Sequence, residues 1–238
     1  MGGTSGVGWA LAQHYVQRGD SVAIAGRDLG RVPQARDGSL RGVQMFQLDI
    51  GDQPSVAQAI DQFACDGLDV LIVAAGLYFN TRSHRLDAAT TQRMLSTNVS
   101  GLSHAFESAM HKMLAQRSGH LVAISSVAGL LHDYPGASLY SATKRSVLSL
   151  CETYRIALAP FGIAVTAGVP GYVDTAKLRA LNGGDASHKP FLMSEAQAVA
   201  RIVLAIEQRK GIVVFPWQMR VLIALLNRLP RALLKLRR

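Results

Sequence analysis

Short β-rich apolar runs alternate along this chain with helix-length amphipathic segments, and that alternation predicts an α/β fold, a doubly wound parallel sheet with helices on both faces. Two further observations agree. The chain opens on a glycine-rich turn, Gly2-Gly3-Thr4-Ser5-Gly6-Val7-Gly8, directly ahead of a helix-forming stretch. Its 238 residues suffice for one sizeable α/β domain and are short for two. Strands are expected at Ser21–Ala25, Val43–Leu48, Val70–Val73, His120–Ile124, Ala164–Val169 and Ile212–Phe215. Capping chemistry marks the helices between them. Pro54 after Asp52 and Gln53 suits a first turn. Ser194-Glu195-Ala196-Gln197 reads as a capping box opening a helix over Ser194–Glu207.

The strand that should come first is missing. A glycine-rich turn of this kind needs a buried strand to deliver it to the helix, yet it follows Met1 at once. A sheet without that strand would carry a gap at its centre, with unpaired backbone on both neighbours. The expectation is therefore a first strand missing or truncated, with Met1 internal to a longer product. A truncated, unstable chain is the other reading.

Nothing in the composition suggests disorder or a membrane span: 49% of residues are hydrophobic, and the wholly apolar runs fall far short of the ~20 residues a spanning helix needs. Cys65 and Cys151 lack metal-like spacing and read as buried free thiols in a reducing compartment. With no signal architecture at the start, a cytoplasmic location is expected. His84, His111, His132 and His188 show no metal-ligand spacing, and no metal is expected. The formal net charge of +9 is unevenly spread. Residues 209–238 hold eight basic and no acidic residues, while the remainder is nearly balanced. The basicity thus belongs to the tail and not to a nucleic-acid-binding face.

Tyr140-Ser141-Ala142-Thr143-Lys144 carries the most chemistry. Side chains at i and i+4 share a helix face. An ammonium beside a phenol favours the phenolate, which would bring the tyrosine below its ordinary value of about 10 and make it a usable general acid or base. Ser125 and Ser126 close an apolar run upstream, and Pro170-Gly171-Tyr172-Val173-Asp174-Thr175 follows the next one.

Together with the opening turn, these motifs resemble the classical short-chain dehydrogenase/reductase family, in family order and at family spacings from Gly2 to Phe215. The resemblance implies a Rossmann fold over residues 1–216 as an NAD(P)-binding catalytic domain, followed by a basic helical tail over 217–238. It also implies an oxidoreductase moving a hydride between a nicotinamide and a carbonyl or secondary alcohol. Tyr140 would give or take the proton, and Lys144 would lower its pKa and bind the nicotinamide ribose. Ser126 would hold the substrate oxygen, and Asn98 a relay water shared with Lys144. Ser125 lies adjacent, and the gap from Ser126 to Tyr140 is one residue longer than the family commonly shows, which places an extra residue in Leu131–Gly136.

Cofactor contacts implied by the same resemblance are Gly2, Thr4, Ser5, Gly6, Val7 and Gly8 around the pyrophosphate, Asp49 and Ile50 at the adenine, and Ala75, Gly76, Asn98, Tyr140 and Lys144 along the ribose. Pro170, Gly171, Val173 and Thr175 would shape the nicotinamide pocket. Val73-Ala74-Ala75-Gly76 lacks the two asparagines the family carries there, which touches local stability more than chemistry. Gly26-Arg27 ends the second expected strand without the acidic residue that binds the ribose hydroxyls of NAD. Arg27 stands where a 2′-phosphate would lie, which favours NADP(H) over NAD(H), although Asp28 could neutralise it. Residues 176–193 would cover an apolar substrate.

From Trp217 onward, leucines (Leu222, Leu225, Leu229, Leu233, Leu236) alternate with Arg228, Arg231, Lys235 and Arg238 at helical steps, with Pro230 opening a second helix. Two readings stand: a peripheral anchor on the anionic cytoplasmic membrane face, or a helix packed on its own domain or on a sister subunit. Family likeness also implies a homo-oligomer. The alternative function is a catalytically silent NADP-binding regulatory or membrane-associated protein on the same fold.

Overall fold

A computed structural model describes residues 1–32, 42–78, 87–131 and 138–228. The elements run α1 (Gly6–Gln17), β1 (Ala23–Gly26), β2 (Gln44–Gln47), α2 (Gln53–Phe63), β3 (Val70–Val73), α3 (Ala88–Leu95), α4 (Gly101–Gln116), β4 (Gly119–Ile124), α5 (Leu139–Leu158), β5 (Ile163–Pro170), α6 (Ala176–Ala180), α7 (Glu195–Glu207), β6 (Ile212–Phe215) and α8 (Trp217–Arg228). Every expected strand is present within two residues of its expected ends. The capping box closes in both directions between Ser194 and Gln197, and α2 starts on Asp52 with its proline in the first turn.

All strand pairs are parallel. They form two sheets, a β1–β2 pair and a four-stranded sheet in the order β3–β4–β5–β6. β1 and β3 do not pair with each other. The backbone of Met1 and Gly2 spans them: the Met1 ammonium donates to the Ile72 carbonyl at 2.7 Å, Met1 O accepts from Ala74 N at 2.9 Å, and Gly2 N donates to Ala25 O at 2.7 Å. Burial without a carboxylate partner pushes that ammonium down to about 6.

The larger sheet holds most of the core. Seven of the eight β5 residues are buried, as a central strand covered on both faces should be. Phe106 of α4, Val165 of β5 and Val56 of α2 are fully enclosed. Cys151 lies in this core, but Cys65 does not. α2 ends at Phe63, so Cys65 sits in the following turn, exposed, with its Sγ against the Gln62 carbonyl. The sequence had placed it within a helix pattern. No helix among the described residues is long and apolar enough to cross a membrane, and none of their His, Cys, Asp and Glu side chains cluster as a metal site. His84, His132, most of Leu131–Gly136 and the tail beyond Arg228 lie outside the described residues.

Candidate active site

The C-terminal ends of β1, β3, β4 and β5 open into one cleft of about 1140 Å³. This is where open parallel sheets place their ligands, because the loops leaving those strand ends diverge there. The glycine turn forms one wall, and its glycines are obligatory. Gly2 has φ +77°, and a Cβ there would lie 2.4 Å from Ala75 N; one at Gly8 would lie 2.1 Å from Gly2 O. The turn delivers α1 with Ser5 as an N-cap that makes no side-chain cap bond, so the first-turn amides point at the cleft with no protein side chain capping them.

Positive charge gathers at the β1 end. Asp28, which could have neutralised Arg27, is engaged elsewhere: its Oδ1 accepts from Gly30 N at 3.0 Å and its Oδ2 pairs with Arg31 Nε at 3.3 Å. Arg27 has no carboxylate partner among the described residues. Lys177 reaches in from α6 and donates to the Gly76 carbonyl at 3.0 Å. Burial lowers its pKa, and the nearby Arg27 and Arg31 lower it further. Exposed Asp49 caps its own turn by accepting from Gly51 N, and Ile50 beside it is buried.

The reactive group of side chains stands on the end of β4 and the first turns of α5. The Ser126 side chain lines the cleft beside the Tyr140 phenol, whereas Ser125 is buried and donates to the Lys144 carbonyl at 2.8 Å. Of the two adjacent serines, Ser126 therefore faces the cleft and Ser125 braces α5. Lys144 is 5% exposed, and its Nζ donates to the Ile124 carbonyl at 2.9 Å, 5.9 Å from the centre of the Tyr140 ring. Burial lowers Lys144 to about 8, with Lys177 adding to the shift.

The expected lowering of the Tyr140 pKa is corrected here. Burial raises it, opposed by the nearby Ser126 hydroxyl and reinforced by Tyr78. The i, i+4 spacing brings the ammonium near, but that ammonium is directed at Ile124, and desolvation of the phenolate is the larger effect.

Asn98 also differs from expectation. It lies in a single π-helical turn, Ser96–Ser100, between α3 and α4, and is 2% exposed. Its Oδ1 accepts from Leu77 N at 2.7 Å, and its Nδ2 donates to Leu77 O at 2.9 Å and Thr143 Oγ1 at 3.0 Å. With donors and acceptor all engaged, the side chain clamps the loop after β3 to α5, and it does not line the cleft where a relay water would be held. All the other expected residues do: Gly2, Thr4, Ser5, Gly6, Val7, Gly8, Arg27, Asp49, Ile50, Ala75, Gly76, Ser126, Tyr140, Lys144, Pro170, Gly171, Val173 and Thr175. Thr175 caps α6 by accepting from Leu178 N at 3.1 Å, which leaves its hydroxyl proton to donate.

Two wall residues were not anticipated. Tyr78 packs edge-on against Tyr140, ring centres 4.9 Å apart, and Lys177 crosses the cleft to Gly76. Both depend on contacts across more than sixty residues of sequence. At the far end the wall turns apolar, with Leu178, Leu181, Met219, Leu222 and Ile223.

Residues 1–186 match the family described as "short chain dehydrogenase". The chain belongs to the short-chain dehydrogenase/reductase family. An uncharacterized oxidoreductase of Myxococcus xanthus (strain DK1622) is 31% identical over 237 residues, covering 98% of this chain and 92% of that protein. Among solved structures, a "short chain dehydrogenase/reductase family protein" is 30% identical with a TM-score of 0.78, covering 90% of this chain and 92% of that one. A structure described as "ElxO with NADP Bound" has a TM-score of 0.79 at 24% identity, covering 90% and 94%; that likeness shows the shared fold alone. As a short-chain dehydrogenase/reductase this chain is an oxidoreductase of α/β Rossmann architecture.

Proposed function

We propose that this protein is an NADP(H)-dependent oxidoreductase that interconverts a carbonyl and a secondary alcohol on an apolar substrate, with Tyr140 as general acid and base. The observation that carries the reading is the meeting, in one cleft, of Ser126 and the Tyr140 phenol, the buried Lys144 ammonium and the glycine turn ahead of α1. The residues present fit the cofactor. The backbone cradle of Gly2 and Gly8 leaves no room for a Cβ, and Arg27 has no carboxylate partner among the described residues because Asp28 is held by Gly30 and Arg31.

A bound nicotinamide supplies or accepts the hydride at the carbonyl carbon. The protein's part in reduction is to neutralise the oxygen that gains charge. Ser126 donates a hydrogen bond to that oxygen, and the Tyr140 hydroxyl transfers its proton there, leaving a phenolate. Lys144, cationic below about pH 8, stabilises the phenolate electrostatically. In the alcohol-to-carbonyl direction the same phenolate takes the proton back. Asn98 acts through others, fixing Leu77 and Thr143 and hence the distance from Gly76 to α5. Arg27, aided by Arg31 and Lys177, favours a 2′-phosphate through charge-assisted contacts. The apolar side chains of Leu178, Leu181 and Met219 favour a substrate with an extended hydrocarbon surface.

The test is to titrate NADPH and NADH separately and then follow loss of nicotinamide absorbance across a panel of aliphatic and aromatic carbonyls. Tighter NADPH binding with turnover on apolar members is expected. NADPH binding with no turnover across the panel would favour a silent nucleotide-binding regulator.

A further inference from the structure

We infer that α8 docks this domain on an anionic lipid surface, so that the cleft opens beside the membrane from which its apolar substrate is taken. The second half of that statement rests on the proposed carbonyl chemistry; the docking itself does not.

α8 has two apolar faces. One packs inward: Met219 and Ile223 are buried against Val127 and Val169, and the same face supplies the apolar end of the cleft wall. The other points outward, with Trp217 68%, Val221 49% and Leu225 56% exposed at successive i, i+4 steps. A helix used on only one side normally shows polar residues on the other. Here the outward face carries an indole and two aliphatic side chains, flanked by exposed Arg220 and Arg228. Charge identifies the partner. The sequence from 209 to 238 has eight basic and no acidic residues, which complements anionic headgroups while the stripe enters the acyl boundary. Tryptophan suits that boundary, because its ring is apolar and its N–H stays in reach of water. The helix that lines the substrate end of the cleft is thus the one that would face lipid.

The intact chain reports its own binding. Trp9 is already buried, so a change in tryptophan emission on adding vesicles reads Trp217. With vesicles of phosphatidylcholine containing about 30% phosphatidylglycerol, the protein should co-sediment and its emission should shift to the blue; pure phosphatidylcholine should bind it far more weakly. Raising salt from ~0.1 M to ~1 M shortens the screening length from about 10 to about 3 Å and should release part of the protein. The double variant Val221→Ser/Leu225→Ser, changed only at exposed positions outside the cleft, should lose about tenfold or more in vesicle affinity. It should keep full turnover on a small water-soluble carbonyl and lose rate only on a long-chain carbonyl dissolved in the vesicles. A charge-reversed Arg220→Glu variant should lose binding to phosphatidylglycerol vesicles alone.

Absence of co-sedimentation with anionic vesicles overturns the docking. So does a lipid-independent blue shift that grows with protein concentration alongside a dimer in sedimentation velocity, which would make the stripe a contact between copies. Vesicle binding without turnover on any carbonyl supports the docking and overturns the substrate source, and with it the reading in the preceding subsection.

Discussion

The two sheets of this molecule differ in size, burial and duty. The four-stranded sheet is continuous, and its β4 and β5 carry Ser126 at one strand end and Pro170–Gly171 at the next, with α5 bringing Tyr140 and Lys144 over them. The two-stranded sheet has four residues per strand, β2 is largely exposed, and it joins the rest through the backbone of Met1, Gly2 and Gly3 and through Ile24 and Ala25, which pack on α1 and the main core. Yet this smaller sheet presents Arg27, the residue on which cofactor choice is proposed to rest. The proposed proton chemistry thus sits on the larger, well-packed sheet and the proposed cofactor selection on the smaller, more exposed one, so the two should be separable by mutation.

The largest expected separation is at Tyr140. Tyr140→Phe keeps the ring packed on Tyr78 and removes only the hydroxyl that carries the proton, so turnover should fall about 10³-fold, within the range general acid catalysis supplies, while NADPH affinity stays nearly unchanged. Steady-state kinetics with a parallel fluorescence titration checks both halves, and activity kept within tenfold would remove Tyr140 from its role.

At the opposite sheet, Arg27→Asp should weaken NADPH binding about 10²-fold while changing NADH binding little, since a charge-assisted phosphate contact is replaced by repulsion. Equal losses for both cofactors would mean that Arg27 does not read a 2′-phosphate.

A smaller effect links the two regions through Lys177. Its charge contributes to holding Lys144 near 8, and the proposed chemistry needs Lys144 cationic. The alkaline limb of kcat/KM in the reduction direction should therefore lie near pH 8 and move upward in Lys177→Ala, where a like charge is gone. A limb that stays put would separate Lys177 from Lys144.

The smallest effect concerns the larger sheet alone. His120 of β4 is buried, and Thr166 Oγ1 spends its proton on the Lys210 carbonyl at 2.6 Å. His120 Nε2 must then donate the proton of the 2.7 Å contact to Thr166. Burial, with Arg209 adding to it, lowers His120 to about 4 from an ordinary 6.5. Between those values the unfolded chain binds a proton that the folded chain does not, so stability is full above about pH 6.5 and falls as pH drops toward 4. A melting temperature that declines over this window in the parent protein, and less steeply in His120→Asn, is expected.

The sequence announced most of this fold because strand and helix signals are local. β3 and β6 lie where their apolar runs lie, and the Ser194 cap needs only four residues to be recognised. What escaped was decided by direction and burial. Ser125 and Ser126 are indistinguishable as letters, and only the path of the chain after β4 sends one to Lys144 O and the other to Tyr140. The spacing of Tyr140 and Lys144 gave their proximity but not the turn of the ammonium toward Ile124, nor the desolvation that raises the phenol. Cys65 read as buried because its neighbours look helical, whereas α2 stops two residues earlier. Tyr78 and Lys177 enter from distant loops that no periodicity connects.

Hydride transfer from a bound NADP(H) to a carbonyl, completed by a proton from Tyr140, is the claim on which the rest stands. The most direct measurement uses NADPH deuterated at the transferable C4 position, with an apolar ketone and mass analysis of the alcohol. The account predicts one deuterium on the carbinol carbon with the parent protein and no labelled alcohol above background with Tyr140→Phe, although that variant still binds the cofactor. An unlabelled alcohol, or label transferred equally well by Tyr140→Phe, would contradict it.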